Sequence, residues 1–197
     1  MLIQDGLFGR IDKPAIAIAR LEQFQPTAGY YLAFSGGKDS IVIYRLAAMA
    51  GVRFDAHYNP TTIDPPELLK FIKRQYPDVE RSKPGRSFWE AICLHKWPPT
   101  RQQRYCCEEF KEGYGQGRVV ITGIRWAESA RRRARRMTET CNRGTATTYL
   151  HPIIDWSDAD VWEFIGREHI PYCSLYSEGF KRIGCILCPM ASDPHRD

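Results

Sequence analysis

The chain lacks any apolar run near the roughly 20 uninterrupted residues that a membrane-spanning helix needs. Its opening residues, MLIQDGLFGRIDK, lack the basic-then-apolar order of a secretory leader, because Asp5, Arg10, Asp12 and Lys13 interrupt them. It has no internal repeat and no low-complexity linker, which excludes solenoid and disordered classes. A cytoplasmic place with no membrane contact is therefore expected. There, the seven cysteines read as reduced thiols or metal ligands rather than a disulfide framework. The commonest ATP-binding loop, with four residues between Gly and Gly-Lys-Ser/Thr, is also missing.

What is present suits one domain with a substantial core: 197 residues, 43% hydrophobic and 26% charged. The net charge of +5 is compatible with anionic ligands and by itself specifies none. Apolar residues at Ile11, Ala15, Ile18, Ala19 and Leu21 predict a helix that Pro26 and Gly29 stop. Tyr30 to Phe34 reads as a buried strand, IVIYRLAAMAG as a helix closed by Gly51, and Arg53 to Tyr58 as the next strand. Pro65 and Pro66 open a helix through Tyr76, and Arg118 to Thr122 is β-branched strand. Ser157 fits the cap of a helix that runs to about Glu168. This alternation implies an α/β fold, a parallel twisted sheet flanked by helices and Rossmann-like, with ligands beyond the carboxyl ends of its strands. The expected layout of residues 1–197 is a single domain. It comprises an N-terminal helix (1–28), a nucleotide-binding core (29–150) and a short cysteine-bearing C-terminal segment (151–197).

The hexapeptide SGGKDS, Ser35 to Ser40, follows a strand and opens a helix. Gly36 and Gly37 let the backbone turn sharply and approach a ligand. Amides exposed there, with the helix N-terminus, favour a phosphate or sulfate. Ser35 and Ser40 add hydroxyl donors and Lys38 a mobile cation. Asp39 is the odd member: it suits a magnesium ion brought with ATP, or a helix cap.

The hexapeptide resembles the SGGxDS signature of the pyrophosphatase-loop superfamily, also called adenine nucleotide alpha hydrolase-like. Three further segments resemble the phosphoadenylyl-sulfate (PAPS) and adenylyl-sulfate (APS) reductase family: YCCEEFK, TGIRWAESARR from Thr122 to Arg132, and the stretch from His151 to Met190. The resemblance implies an enzyme of sulfur metabolism or sulfur transfer that binds ATP, APS or PAPS. Lys38, Asp39 and Arg125 are its catalytic candidates. Gly123, Arg125, Glu128, Ser129, Arg131 and Arg132 join the hexapeptide as nucleotide-binding candidates. The arginines would clamp phosphate or sulfate oxygens. Glu128 stands where the reductases carry an amide and suits a ribose hydroxyl better than a sulfate. Trp126 would stack on adenine.

In cluster-bearing reductases a Cys-Cys pair and a distant Cys-x-x-Cys hold a 4Fe–4S cluster, which the resemblance assigns to Cys106, Cys107, Cys185 and Cys188. Zinc has the same ligand requirement, and Cys141 or Cys173 are alternative ligands. Cys93, among Ala91, Ile92 and Leu94, reads as a buried structural cysteine.

Two features depart from the ordinary reductases. No cysteine follows Cys188, so the ECGxH nucleophile of that family has no counterpart here. Five of the six residues Arg131 to Arg136 are arginine. Both shift weight toward related enzymes that release pyrophosphate from ATP and thiolate nucleic acid, or that act in DNA phosphorothioation. They also leave open a non-catalytic nucleotide-sensing or nucleic-acid-binding subunit. The partner classes that remain are an adenine nucleotide, nucleic acid, a sulfur- or electron-donating protein, and a second copy in a homodimer.

Overall fold

The computed structural model describes residues 1–6, 9–140 and 147–191. They group into two compact units, each assembled from separate stretches of chain. The divisions expected at residues 28 and 150 do not coincide with these units.

The first unit holds Met1–Phe34, Lys38–Ala56 and Gly115–Pro171. It opens with an antiparallel hairpin, β1 (Ile3–Gly6) and β2 (Gly9–Asp12), that sequence reading did not find. Helix α1 (Lys13–Gln23) follows. Asp12 caps it by accepting from the Ala15 amide at 3.0 Å, and Pro14, Ala17 and Leu21 form its buried stripe. Strand β3 (Tyr30–Ala33) is apolar throughout because a strand covered on both faces has no solvent side. Helix α2 (Lys38–Met49) leaves the glycine loop and buries Ile41, Val42, Ile43, Leu46 and Ala47.

Strand β4 (Phe54–Tyr58) runs from this unit into the second. The second unit holds Ser35–Gly37, His57–Tyr114 and Tyr172–Asp197. It contains α3 (Pro66–Gln75), the two-residue strand β5 (Glu80–Arg81), α4 (Phe88–His95) and α5 (Tyr105–Phe110). Its core is Phe88, Ala91, Tyr105 and Phe110, with Ile63, Ile92 and Cys106 against them. Ser87 and Glu90 make a reciprocal cap that starts α4.

The chain returns to the first unit with β6 (Val119–Ile121), α6 (Ala130–Arg133), β7 (Thr138–Thr140), β8 (Thr148–Leu150) and α7 (Asp158–Arg167). The sheet order is β5-β4-β3-β6-β8-β7. Its centre is parallel: Leu32 pairs with Ile121, and Ile121 with Leu150. The edge strand β7 is antiparallel to β8, with Thr138 opposite Leu150. Chain order reverses between β3 and β6, the switch point where ligands bind in open α/β sheets. SGGKDS leaves β3 there. The Ser157–Asp160 capping box starts α7, and the buried Asp160 carboxylate receives Lys13 at 2.5 Å. Among the described residues, no helix is long and apolar enough to cross a membrane.

Candidate functional site

In the first unit, two cations and two carboxylates converge from separate elements. Lys38 and Asp39 come from the first turn of α2, Arg125 from the loop after β6, and Asp158 from the first turn of α7. Arg125 is 1% exposed. Its Nε donates to Asp39 Oδ1 at 2.7 Å, its Nη2 to Asp158 Oδ1 at 2.7 Å and its Nη1 to the Trp156 carbonyl at 3.3 Å. Lys38 Nζ lies 3.6 Å from Asp158 and 3.9 Å from Asp39. Gly123 makes room for this arrangement, since a Cβ there would come within 2.7 Å of the Asp39 Cβ.

Burial pushes the Asp39 carboxyl up, against the pull of Arg125 and Lys38. Burial also opposes ionisation of Asp158, but hydrogen bonds from Arg125 and the charge of Lys38 hold it below the usual carboxylate range. The four formal charges sum to zero before any ligand arrives.

This corrects several expectations. Arg125 is a buried tie rather than a free anion clamp: its guanidinium is committed to two carboxylates and a carbonyl, as a cation out of water must be. Asp39, read as a magnesium ligand or a helix cap, is the partner of Arg125. Glu128 accepts from the Arg125 amide at 2.8 Å and pairs with Arg132, so it is not poised for a ribose. Ser129 caps α6 by accepting from the Arg132 amide at 3.2 Å. Ser40 is buried within α2, and Arg131 is exposed on α6. Asp158 is the residue that sequence reading missed. It was legible only as a favourable charge in a helix first turn.

Ser35, Gly36 and Gly37 belong to the second unit. The Ser35 hydroxyl accepts from the Gly37 amide at 3.4 Å. Gly36 has φ of 72°, and a Cβ there would meet Leu68 and Ile72 at 2.7–2.9 Å. Glycine is therefore required by conformation and by space.

The second unit also carries the cysteine pairs. Cys106 and Cys107 occupy the first turn of α5. Cys185 and Cys188 bracket a tight turn closed by the Cys188 amide on the Cys185 carbonyl at 3.3 Å. Leu187 within it has φ of 62°, a left-handed conformation that a branched side chain rarely adopts. The turn is anchored by the Ile186 amide on the Ile63 carbonyl at 2.8 Å and by Arg101 on the Pro189 and Ala191 carbonyls. A hydrogen bond from Cys106 holds the Cys107 thiol down to about 6, with Lys111 and Arg104 adding to it. The same bond raises Cys106, and burial raises it further. Lys111 is exposed as a residue, and although the surrounding protein desolvates its ammonium, Cys185, Asp64 and Cys107 keep it charged.

Cys107 and Cys185 lie beside the Lys111 ammonium, and the four thiols are soft donors of the kind that suits iron and sulfide. Among the described residues, no three His, Cys, Asp or Glu side chains form a group set to hold a single metal ion. A cleft of about 380 Å³ opens beside the Cys185–Cys188 turn, lined also by Pro66, Glu67, Phe180 and Arg182. Cys173 is buried, and Cys141 lies outside the described residues. Cys93 is exposed, contrary to expectation, because α4 turns Phe88 and Ala91 inward instead.

A glycine loop on the carboxyl end of a central parallel strand, at the switch point of a sheet flanked by helices, defines an adenine nucleotide alpha hydrolase-like protein. Within that class, the chain belongs to the phosphoadenosine phosphosulfate reductase domain family, whose model matches residues 29–191. An APS reductase of Geobacillus kaustophilus is 33% identical over 186 residues, covering 83% of this chain and 74% of the relative. An APS reductase of Neisseria meningitidis is 30% identical and covers 61% and 54%. An uncharacterised protein of Methanocaldococcus jannaschii is 32% identical and covers 94% of this chain but 41% of its own length. The chain thus spans about half, or less, of several curated relatives it matches. Among solved structures, the PAPS reductase of Candida auris superposes with a TM-score of 0.65 at 19% identity, covering 87% of each chain. Candida glabrata FMN adenylyltransferase superposes with a TM-score of 0.63 at 15% identity, covering 88% of this chain and 60% of its own. Both likenesses concern the fold alone.

Proposed function

We propose that this chain is an enzyme of sulfur metabolism or sulfur transfer that holds the phosphate or sulfate end of an adenine nucleotide at SGGKDS. The observation that carries this is the glycine loop leaving β3 at the sheet's switch point, in a chain of this family. Lys38 would reach the anion, while Arg125 and Asp158 hold its neighbourhood in register. With ATP, an acceptor oxygen attacks the α-phosphate, a bond to that phosphorus forms, and the bond to the β-phosphate oxygen breaks. The loop amides and Lys38 would then stabilise the departing pyrophosphate. With an adenylyl sulfate, the same loop would hold the sulfate for reduction by a donor.

Cys106, Cys107, Cys185 and Cys188 would hold a 4Fe–4S cluster, with Lys111 balancing its charge. A bound cluster supplies a redox-active, negatively charged centre and a tie between the two cysteine pairs. Support comes from the donor set: four thiols in two pairs, one already depressed toward neutral pH beside the Lys111 ammonium.

Calorimetry with ATP, APS and PAPS tests the nucleotide reading. Binding of at least one is expected, weakened about tenfold or more by Lys38→Ala, and no binding of any of them sinks it. Release of pyrophosphate or of sulfite then separates the two reactions. Anaerobically purified protein should be brown with about four irons per chain; a colourless protein with one zinc rejects the cluster.

A further inference from the structure

The arginine run, of which sequence reading gave Arg131 and Arg132 to the nucleotide, has five side chains that divide into two sets. Arg132 is ion-paired with Glu128, and Arg135 with Glu139 at 2.9 Å. Arg131, Arg133 and Arg136 are exposed, and their guanidinium groups have no carboxylate partner among the described residues. Arg132 and Arg135 are therefore neutralised by their partners, and Arg131, Arg133 and Arg136 are not.

Trp126 belongs to the same surface. It is 40% exposed. Its ring is nevertheless fixed, because the indole N–H donates to the Arg135 carbonyl at 2.7 Å. The supporting loop is tied down along its length. The Trp126 amide donates to the Ile154 carbonyl at 2.8 Å, Arg133 to Ser129 at 3.0 Å, and Arg135 to Arg132 at 3.0 Å. The Arg136 amide donates to the Glu139 carboxylate at 2.8 Å.

We propose that Trp126, Arg131, Arg133 and Arg136 form a docking surface for a single-stranded polynucleotide. The indole stacks on a base, and the three guanidinium groups meet backbone phosphates. An acidic peptide would satisfy the arginines but has no use for a flat ring held with its polar edge occupied. A duplex keeps its base faces covered. A single strand offers both a phosphate row and free base faces, and stacking of this kind tolerates any base. The surface uses no residue of Ser35–Ser40, so it stands or falls separately from the nucleotide reading.

The test is fluorescence anisotropy of the full chain with labelled oligothymidylate and oligouridylate. Three phosphate contacts predict that raising salt from about 50 to 200 mM weakens binding about 10- to 20-fold. Replacing Arg131, Arg133 and Arg136 together with Gln should remove most of that salt dependence. Trp126→Ala should weaken binding about tenfold or more, and Trp126→Phe by less, because a stacking ring remains. Melting curves check that the variants are folded. Ultraviolet crosslinking of the unmodified chain gives a readout without any variant: the linked peptide should contain Trp126. Preference for one oligonucleotide identifies DNA or RNA as the natural strand. The proposal is overturned by no binding at low salt, by a crosslink elsewhere, or by binding indifferent to both substitutions. Equal competition by heparin or polyglutamate also overturns it, pointing to a generic polyanion or an acidic protein.

Discussion

Each unit holds a cation among negative groups, Arg125 buried and Lys111 exposed, and the two are balanced in different ways. Arg125 is met by Asp39 and Asp158, carboxylates that are present as part of the chain's own wiring. Lys111 is met by Cys185, Asp64 and Cys107, so that much of its balance rests on thiols whose charge depends on pH and on whatever they ligate. The first arrangement is complete without a ligand. The second is a donor set whose charge is conditional. A site that must orient chemistry benefits from the former, and a site that must accept a metal group from the latter.

The sharpest break should come on the conditional side. Replacing Cys107 or Cys185 with Ser removes a soft ligand, and iron content with the visible absorption should fall to background. Nucleotide-free melting of the first unit should change little, because none of its residues is touched. Full iron retention in both variants would mean the cysteines are not the ligands.

Arg125→Met tests the wired side. It leaves a buried Asp39 without its partner, and breaking such a pair costs about 3–5 kcal/mol. Chemical unfolding should show a loss of that order. Arg125→Lys should recover only part, since an ammonium cannot serve both carboxylates and the Trp156 carbonyl as a fork does.

A pH titration sharpens the contrast. His151 is 0% exposed, its Nδ1 lies 2.7 Å from the Thr122 hydroxyl, and burial lowers it from 6.5 to about 4. An unfolded chain binds that proton more readily, so stability should be full above about pH 6.5 and fall as pH drops toward 4. The loss should amount to about 3 kcal/mol. Asp158 and Asp160 should stay ionised through this window, because both are held below the usual carboxylate range. His151→Gln should flatten the curve between these limits; an unchanged slope would assign the titration elsewhere.

The smallest effect expected is that of Ser157→Ala. It removes the hydroxyl that accepts from the Asp160 amide at 3.2 Å and starts the helix bearing Asp158. A loss of about 1 kcal/mol should follow. Because Asp158 touches both Lys38 and Arg125, nucleotide affinity should fall with it, whereas iron content should not.

Sequence reading found the elements whose signals are local. The apolar run of β3, the proline start of α3 and the Ser157 cap of α7 each declare themselves within a few residues. The three-residue strands β7 and β8 did not, because polar segments that short become strands only through their pairing with each other and with β6. Helices α4 and α5 were missed for a related reason: the core of Phe88, Ala91, Tyr105 and Phe110 selects their inward faces. Cys93 shows the cost of reading burial from neighbours in sequence. A helix alternates its faces, so an apolar context does not tell which residue turns inward.

By its sequence alone this protein was committed to a parallel α/β sheet, a glycine loop between strand and helix, and two paired sets of thiols. Backbone propensity and local spacing suffice for those. Tertiary structure decided what Arg125, Glu128 and Asp158 do, and separated the three exposed arginines from the two that are neutralised. Those outcomes depend on which charges meet a buried guanidinium across 33 or more residues of chain, or across a single helical turn at the surface. Spacing along the sequence does not encode such meetings; the Coulomb energy of the folded arrangement does.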